Sequence, residues 1–294
     1  MVWFVVRQYP MNALRATQSA KARYIELLKS ALACRLYPEP PVPIELLWCK
    51  RGWFKRSLAR VLAPAFGMMG AKLCIEPNYT QEQLDSGTVW RLLAVSLISP
   101  RRMDNLCFCV ETVLAERIPG DLIETGVWRG GACIVMKGLL AINAITDRKV
   151  FVADSFQGLP PPDAQKYPAD AGDTHHKVPY LAVSRARVED NFRRFGLLDE
   201  QVVFLEGWFK DTLPKLRSRQ LALMRLDGDM YESTMDALTH LYPKLSAGGF
   251  CIIDDYDIRN CRMAVDDFRK SREVTDPLVD IDGHGCYWRK GVAL

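Results

Sequence analysis

Four aspartates stand at the ends of two apolar runs, Leu226-Asp227-Gly-Asp229 and Ile252-Ile-Asp254-Asp255. If the two runs are neighbouring strands, their carboxylates meet at one edge of a sheet. Carboxylates gathered so closely repel one another unless a cation or protons intervene. Oxygen-only ligands with no Cys or His pattern nearby point to a hard cation, magnesium or calcium, and away from zinc. Each half also has a plainer reading. Asp229 with Glu232 three residues later has the form of a helix capping box, and Asp254 could cap a turn. The two halves together favour a metal.

A second group lies upstream, in Glu124-Thr-Gly-Val-Trp-Arg-Gly-Gly131. A glycine-rich turn from a strand into a helix lets a ligand approach the backbone, and the helix start offers unpaired N–H groups to a carboxylate. The spacing is G-x-x-x-G-G. That disfavours a dinucleotide pyrophosphate, and with it a nucleotide-dependent dehydrogenase, and suits an amino-acid carboxylate such as that of S-adenosylmethionine. A tight turn that simply needs glycine is the competing explanation. Asp154 ends the next apolar run, 28 residues after Gly126, where an acid can accept both hydroxyls of an adenosine ribose. Alternatively, Asp154 or Ser155 caps a turn. The pair His175-His176 falls in a long loop and could touch substrate or be idle. His240 reads as a packed helix residue and His284 as a turn residue.

The elements that must position these residues follow from periodicity. Apolar runs at 121–126, 149–154, 202–206, 221–226 and 250–253 read as strands, and 278–281 with 286–288 as a terminal hairpin. Helical patterns cover about 17–37, 104–117, 131–141 and 181–195. Alternating strands and helices imply an α/β fold: a doubly wound, mostly parallel sheet with right-handed crossovers and ligands beyond the carboxyl ends of its strands. The proline-rich loop 158–179 is too long for a simple connection and reads as a lid. Residues 1–100 are expected to form a helical N-terminal extension and linker, with 76–87 the linker and 48–72 a basic, aromatic helical stretch. The catalytic domain would then span 101–294.

Composition narrows the setting. Hydrophobic residues make up 49% and charged residues 25%, ordinary globular values. Nine cysteines are scattered without a C-x-x-C pair, which argues for reduced thiols and a cytoplasmic protein. Residues 1–72 carry about nine net positive charges and the remainder about five net negative, so the catalytic part is not a nucleic-acid binder. The apolar start ends at Arg7-Gln8, short of a signal core, and a second methionine, Met11, follows it, so residues 1–10 are expected to add little to the fold. The run 58–71 is too short to span a bilayer, and packing on the domain or on a partner subunit is favoured over membrane contact.

The chain resembles the macrocin O-methyltransferase family, whose members methylate sugar hydroxyls of antibiotics. The resemblance begins at about residue 20. It rests on Tyr24-Ile-Glu-Leu-Leu-Lys29, Pro119-Gly-Asp-Leu-Ile-Glu-Thr-Gly-Val-Trp-Arg-Gly-Gly131, Ala153-Asp-Ser-Phe-Gln-Gly-Leu-Pro160 and Gly196-Leu-Leu-Asp199. It continues in Gly207-Trp-Phe-Lys-Asp-Thr-Leu-Pro214, Leu226-Asp-Gly-Asp-Met-Tyr-Glu-Ser-Thr234 and Asp254-Asp-Tyr256. It implies a seven-stranded Rossmann-like sheet, usually as a homodimer. By the resemblance Asp227, Asp254 and Asp255 are the metal ligands, for Mg2+, and Asp229 is the general base. Glu124, Thr125, Gly126, Trp128, Arg129, Gly130, Gly131, Asp154, Ser155, Gly207 and Trp208 are the pocket for S-adenosyl-L-methionine. One segment departs from the family pattern. Gly87-Thr-Val-Trp-Arg-Leu-Leu-Ala94 has Val89 and Arg91 where the family usually has Asp and Pro. That segment should lie near the cofactor and acceptor, so it bears on substrate identity.

The implied reaction is an in-line methyl transfer to a hydroxyl made acidic by a divalent cation and deprotonated by a carboxylate. A cation that chelates two neighbouring oxygens favours a vicinal diol, hence a sugar in a glycosylated natural product. A catechol or phenol acceptor on the same fold is the nearest rival, separable by acceptor profiling. A non-catalytic cofactor-binding scaffold is the rival from another class, and binding without turnover would mark it.

Overall fold

The computed structural model describes residues 19–43, 64, 66–86, 89, 91–218 and 220–291. Expectations for residues 1–10, and for most of the basic aromatic stretch 48–72, lie outside the described residues.

The chain from Asp121 onward builds a seven-stranded sheet. Its strands are β3 (Asp121–Thr125), β4 (Val150–Asp154), β5 (Val202–Glu206), β6 (Leu221–Leu226), β7 (Leu245–Ile253), β8 (Val279–Asp280) and β9 (Cys286–Arg289). The order is β5-β4-β3-β6-β7-β9-β8, parallel up to β7 and closed by β9, antiparallel to β7, and by β8, antiparallel to β9. This is the doubly wound, mostly parallel fold that the strand–helix alternation implied. Two short strands, β1 (Val42–Pro43) and β2 (Cys74–Ile75), pair separately. Successive strand residues point to opposite faces. Leu122 therefore packs in a cluster with α3 (Pro100–Ala115), α4 (Gly131–Ile142) and α5 (Arg185–Arg194), and Ile123 in one with α6 (Phe209–Thr212), α7 (Tyr231–Leu241) and α8 (Arg259–Ser271). The sheet separates these two apolar cores.

The order reverses at β3, which has β4 on one side and β6 on the other. A crevice opens where the strand order reverses, beyond the carboxyl ends of the strands. Glu124 to Gly131 leaves β3 there, Asp227 leaves β6, and Asp254 and Asp255 leave β7.

Several boundaries differ from the sequence expectation, each for a local reason. The first helix, α1 (Ala20–Leu32), is shorter than 17–37, and Cys34 turns left-handed with φ 55° directly after it. Helix α3 starts at 100, not 104, because Ser99 caps it through the Arg102 N–H and Pro100 takes the first position, where no N–H is needed. Helix α5 starts at 185, capped by Ser184. Strand β7 begins five residues earlier than its apolar run, through Gly248 and Gly249, which gave no strand signal. The expected linker 76–87 contains a short helix, α2 (Gln81–Ser86). Thr80 and Gln83 cap it reciprocally, Thr80 N–H to Gln83 Oε1 at 2.9 Å and Gln83 N–H to Thr80 Oγ1 at 3.2 Å.

Helix α1 is joined to the main core. Ile25, Leu28 and Leu32 belong to the same apolar cluster as α3 and α4, and the Leu32 carbonyl accepts from the N–H groups of Val95 and Ser96. Among the described residues, no helix is long and apolar enough to cross a membrane.

Candidate active site

The crevice is a cavity of about 680 Å³, within the range of small-molecule sites. Gly126, Trp128, Gly131, Asp154, Ser155 and Trp208 line one part of it, and Asp227, Asp229, Asp254 and Asp255 another. Residues 95–98 add a wall, so the segment following the family departure does reach the cavity.

The glycine turn is shaped by what it touches. Gly126 has φ 79°, and a Cβ there would fall 1.6 Å from the Asp227 carbonyl oxygen, so a side chain is excluded. Gly130 has φ 85°, and its Cβ would press on Val188 at 2.8 Å. The turn therefore needs glycine for packing and also exposes backbone to a ligand at Gly126. Asp154 acts as a turn cap: Oδ2 accepts from the Val127 N–H at 2.8 Å and Oδ1 from the Phe156 N–H at 2.7 Å. Each oxygen keeps further acceptor capacity, so the cap and a ribose contact are compatible. Ser155 donates to the Gly158 carbonyl at 2.7 Å. Trp128 Nε1 donates to the Tyr180 carbonyl at 2.9 Å, tying the turn to the loop above it.

Four residues expected in the cofactor pocket do not line the cavity. Thr125 points to the opposite face of β3, buried, with its hydroxyl unpartnered. Gly130 packs against α5. Gly207 donates its N–H to the Asp154 carbonyl at 2.9 Å. Arg129 turns away: Nη1 donates to the carbonyls of Leu92 and Ala94, both at 2.7 Å, and the guanidinium lies 4.2 Å over the Trp128 ring. It braces the wall that leads into residues 95–98. Glu124 lines the cavity, but its carboxylate is engaged by Arg225 and by the Cys133 thiol at 2.9 Å.

The carboxylate group is the decisive feature. One ligand oxygen each from Asp227, Asp254 and Asp255 lies within 4.8 Å of the others. Burial, followed by the charge of Asp254, pushes the Asp227 carboxyl up to about 8. Burial, followed by the charges of Asp229 and Asp227, holds Asp255 well above the ordinary carboxylate range. Burial pushes Asp229 to about 6, with His175 opposing the rise. Such a set binds protons tightly because burial and mutual repulsion outweigh the nearby guanidinium charge, and a hard divalent cation suits its all-oxygen donors. The residues fit a magnesium-type ion.

Two arginines that the sequence reading did not single out organise the cluster. Arg225, buried in β6, bonds Glu124 and Asp254 and reaches Asp227 Oδ2 with Nη1 at 2.9 Å. Arg102 donates Nη1 to Asp254 Oδ2 at 2.5 Å and Nε to Asp282 Oδ2 at 3.1 Å. A guanidinium inside an otherwise apolar strand was the available signal for Arg225. For Arg102 there was none.

Asp229 is not the helix cap. It sits in the left-handed region at φ 56°, and the cap of α7 is instead Asp170, from the loop. The chain turns at Asp229 itself, where the Met230 N–H donates to the Gly228 carbonyl. Asp229 lines the cavity with its N–H toward Asp255 Oδ2 at 3.3 Å. His175 reaches the cavity as well, with Nδ1 2.9 Å from Asp173 Oδ2. His284 joins the rim, with Nδ1 2.7 Å from Asp257 Oδ2, where the sequence suggested only a turn residue.

The family model described as macrocin-O-methyltransferase matches residues 21–290. The chain belongs to that family. It is 48% identical over 223 residues to a mycinamicin III 3''-O-methyltransferase of Micromonospora griseorubida, covering 75% of this chain and 88% of the relative. It is 43% identical over 278 residues to an 8-demethyl-8-(2,3-dimethoxy-alpha-L-rhamnosyl)-tetracenomycin-C 4'-O-methyltransferase of Streptomyces olivaceus, covering 94% and 96%. Among solved structures it superposes on the O-methyltransferase NovP with a TM-score of 0.78 and 40% identity, over 92% of this chain and 99% of that one. As a member of the macrocin O-methyltransferase family the chain is an O-methyltransferase, and its fold is of the class I O-methyltransferase kind.

Proposed function

We propose that this enzyme transfers the methyl group of S-adenosylmethionine to a hydroxyl of a sugar vicinal diol in a glycosylated natural product, with a magnesium ion at Asp227, Asp254 and Asp255. The observation that carries the reading is the convergence of those three carboxylates and Asp229 on one cavity with the Gly126 turn. When bound, the two groups would supply an electrophilic methyl and a charge that makes the acceptor hydroxyl acidic.

The chain's own residues do the rest. The Gly126 turn and the start of α4 admit the donor's amino-acid end, and Asp154 keeps acceptor capacity for its ribose. Asp229 Oδ takes the proton of the acceptor hydroxyl. Its raised pKa of about 6 is near that of an effective base at neutral pH. Arg225 and Arg102 fix Asp254 and Asp227 in place. Leu159, Pro160, Pro161 and Leu181 of the loop help cover the cavity and exclude water. The rhamnosyl unit named for the Streptomyces olivaceus relative supports a sugar acceptor. We assign the catalytic domain to 101–294, with 1–100 an extension that docks on it through α1, and expect a cytoplasmic homodimer.

Calorimetry with S-adenosylhomocysteine and magnesium, followed by methyl transfer to glycosylated macrolides, free sugars and catechols, tests the proposal. Turnover of catechols with none of sugars would replace the acceptor assignment. Cofactor binding with no turnover on any acceptor would make the chain a scaffold.

A further inference from the structure

Helix α7 begins two residues after Asp229 and has no cap of its own, since Met230 supplies no side-chain acceptor. Its first free donors are taken by a residue 61 positions upstream. Asp170 Oδ1 accepts from the Tyr231 N–H at 2.7 Å, and Oδ2 from the Glu232 N–H at 3.0 Å. Asp170 is fully buried. A carboxylate there satisfies two unpaired donors and suits the positive end of the helix dipole. Tyr167 packs its ring 6.1 Å from that of Tyr231, on the same seam.

Both neighbours of this contact lead to the cavity. On the helix side, the turn before α7 is tight: Met230 N–H donates to the Gly228 carbonyl at 2.5 Å, and Asp229 is left-handed between them. The place where α7 starts therefore sets where Asp229 points. On the loop side, the Asp170 carbonyl accepts from the Asp173 N–H at 3.1 Å. Asp173 in turn holds His175 twice, by the backbone N–H at 2.8 Å and by Nδ1 at 2.9 Å. Nε2 is the ring nitrogen left for the cavity.

We propose that Asp170 is a positioning residue: it latches the loop 158–183, which connects β4 to α5, to the start of α7 and so fixes Asp229 and His175 together at the cavity. The part concerning Asp229 rests on the base assigned to it above. A cap of only local importance would stabilise α7 and nothing else. A latch also controls the loop that covers the cofactor.

The test compares full-length wild type, Asp170→Ala and Asp170→Asn, the last keeping one acceptor oxygen. Hydrogen–deuterium exchange is read at Asp229, Tyr231, Glu232 and across 158–183, beside the dissociation rate of S-adenosylhomocysteine and the melting temperature. In Asp170→Ala the three amides and the loop should exchange about five- to tenfold faster, the loss of one cap, and the ligand should leave faster by a similar factor. Asp170→Asn should recover most of both. A lower melting temperature with loop exchange and ligand release unchanged would overturn the latch and leave a plain cap. Failure of the wild type to bind S-adenosylhomocysteine would instead overturn the cofactor assignment. The exchange measurements would still decide the latch: faster loop exchange supports it, unchanged exchange refutes it.

Discussion

Arg225 Nη1 lies 2.9 Å from Asp227 Oδ2, two positions along the chain, and the same guanidinium holds Glu124 and Asp254. One buried cation thus anchors carboxylates from the ends of three adjacent strands, β3, β6 and β7. It spends one oxygen of Asp227 and leaves the other for a ligand.

Arg225→Met should therefore strand buried carboxylates. Breaking a buried ion pair by removing one partner costs about 3–5 kcal/mol. Urea unfolding at neutral pH should show a loss of that order. The loss should shrink at acid pH, where Glu124 and its neighbours can take up protons. A variant as stable as wild type at neutral pH would mean that the network contributes little.

Asp227→Asn and Asp255→Asn should each remove most activity and most magnesium binding, while S-adenosylhomocysteine affinity stays close to wild type. The three ligand oxygens lie within 4.8 Å of each other, so two remaining carboxylates hold a hard cation poorly. Calorimetry with magnesium measures one effect and turnover the other. Full wild-type turnover in EDTA would contradict the metal assignment.

Asp229→Asn should lower turnover by roughly 100- to 10,000-fold, the usual cost of a lost general base. Magnesium and cofactor affinities should change little. The melting temperature should also hold, because Asp170, not Asp229, caps α7. A variant with near-normal turnover would remove Asp229 from the base role, and one without magnesium binding would make it a ligand.

Stability should depend on pH and magnesium together. Asp227 is pushed up to about 8, from an ordinary 3.8, by burial first and by Asp254 next. Between those values the folded protein holds a proton that the unfolded chain releases. Metal-free stability should therefore fall as pH rises from about 4 through 8. Magnesium binds the ionised form, so its stabilising effect should grow over the same range. Melting curves at pH 6 and pH 8.5, with EDTA or magnesium, check both trends. A magnesium-induced shift that is larger at pH 6 would refute the coupling.

What the sequence determined by itself was the order of strands and helices along the chain and the strand ends at which the carboxylates gather. A run such as 221–226 is buried on both faces, so its residues are apolar or, like Arg225, paired, and that pattern is local. Asp227, Asp254 and Asp255 were legible because an acid directly after such a run has to emerge at the sheet's edge. Gly126 was legible as a turn, but the reason a side chain is excluded, the Asp227 carbonyl, comes from another strand. Only the tertiary structure decided that Asp170 caps α7 across 61 residues, displacing the local Asp229–Glu232 box. It likewise decided that Arg129 braces residues 92 and 94 and does not enter the cavity. Capping and bracing require only an acceptor or a guanidinium at the right point in space. A long loop can deliver either without leaving any periodic trace in the sequence.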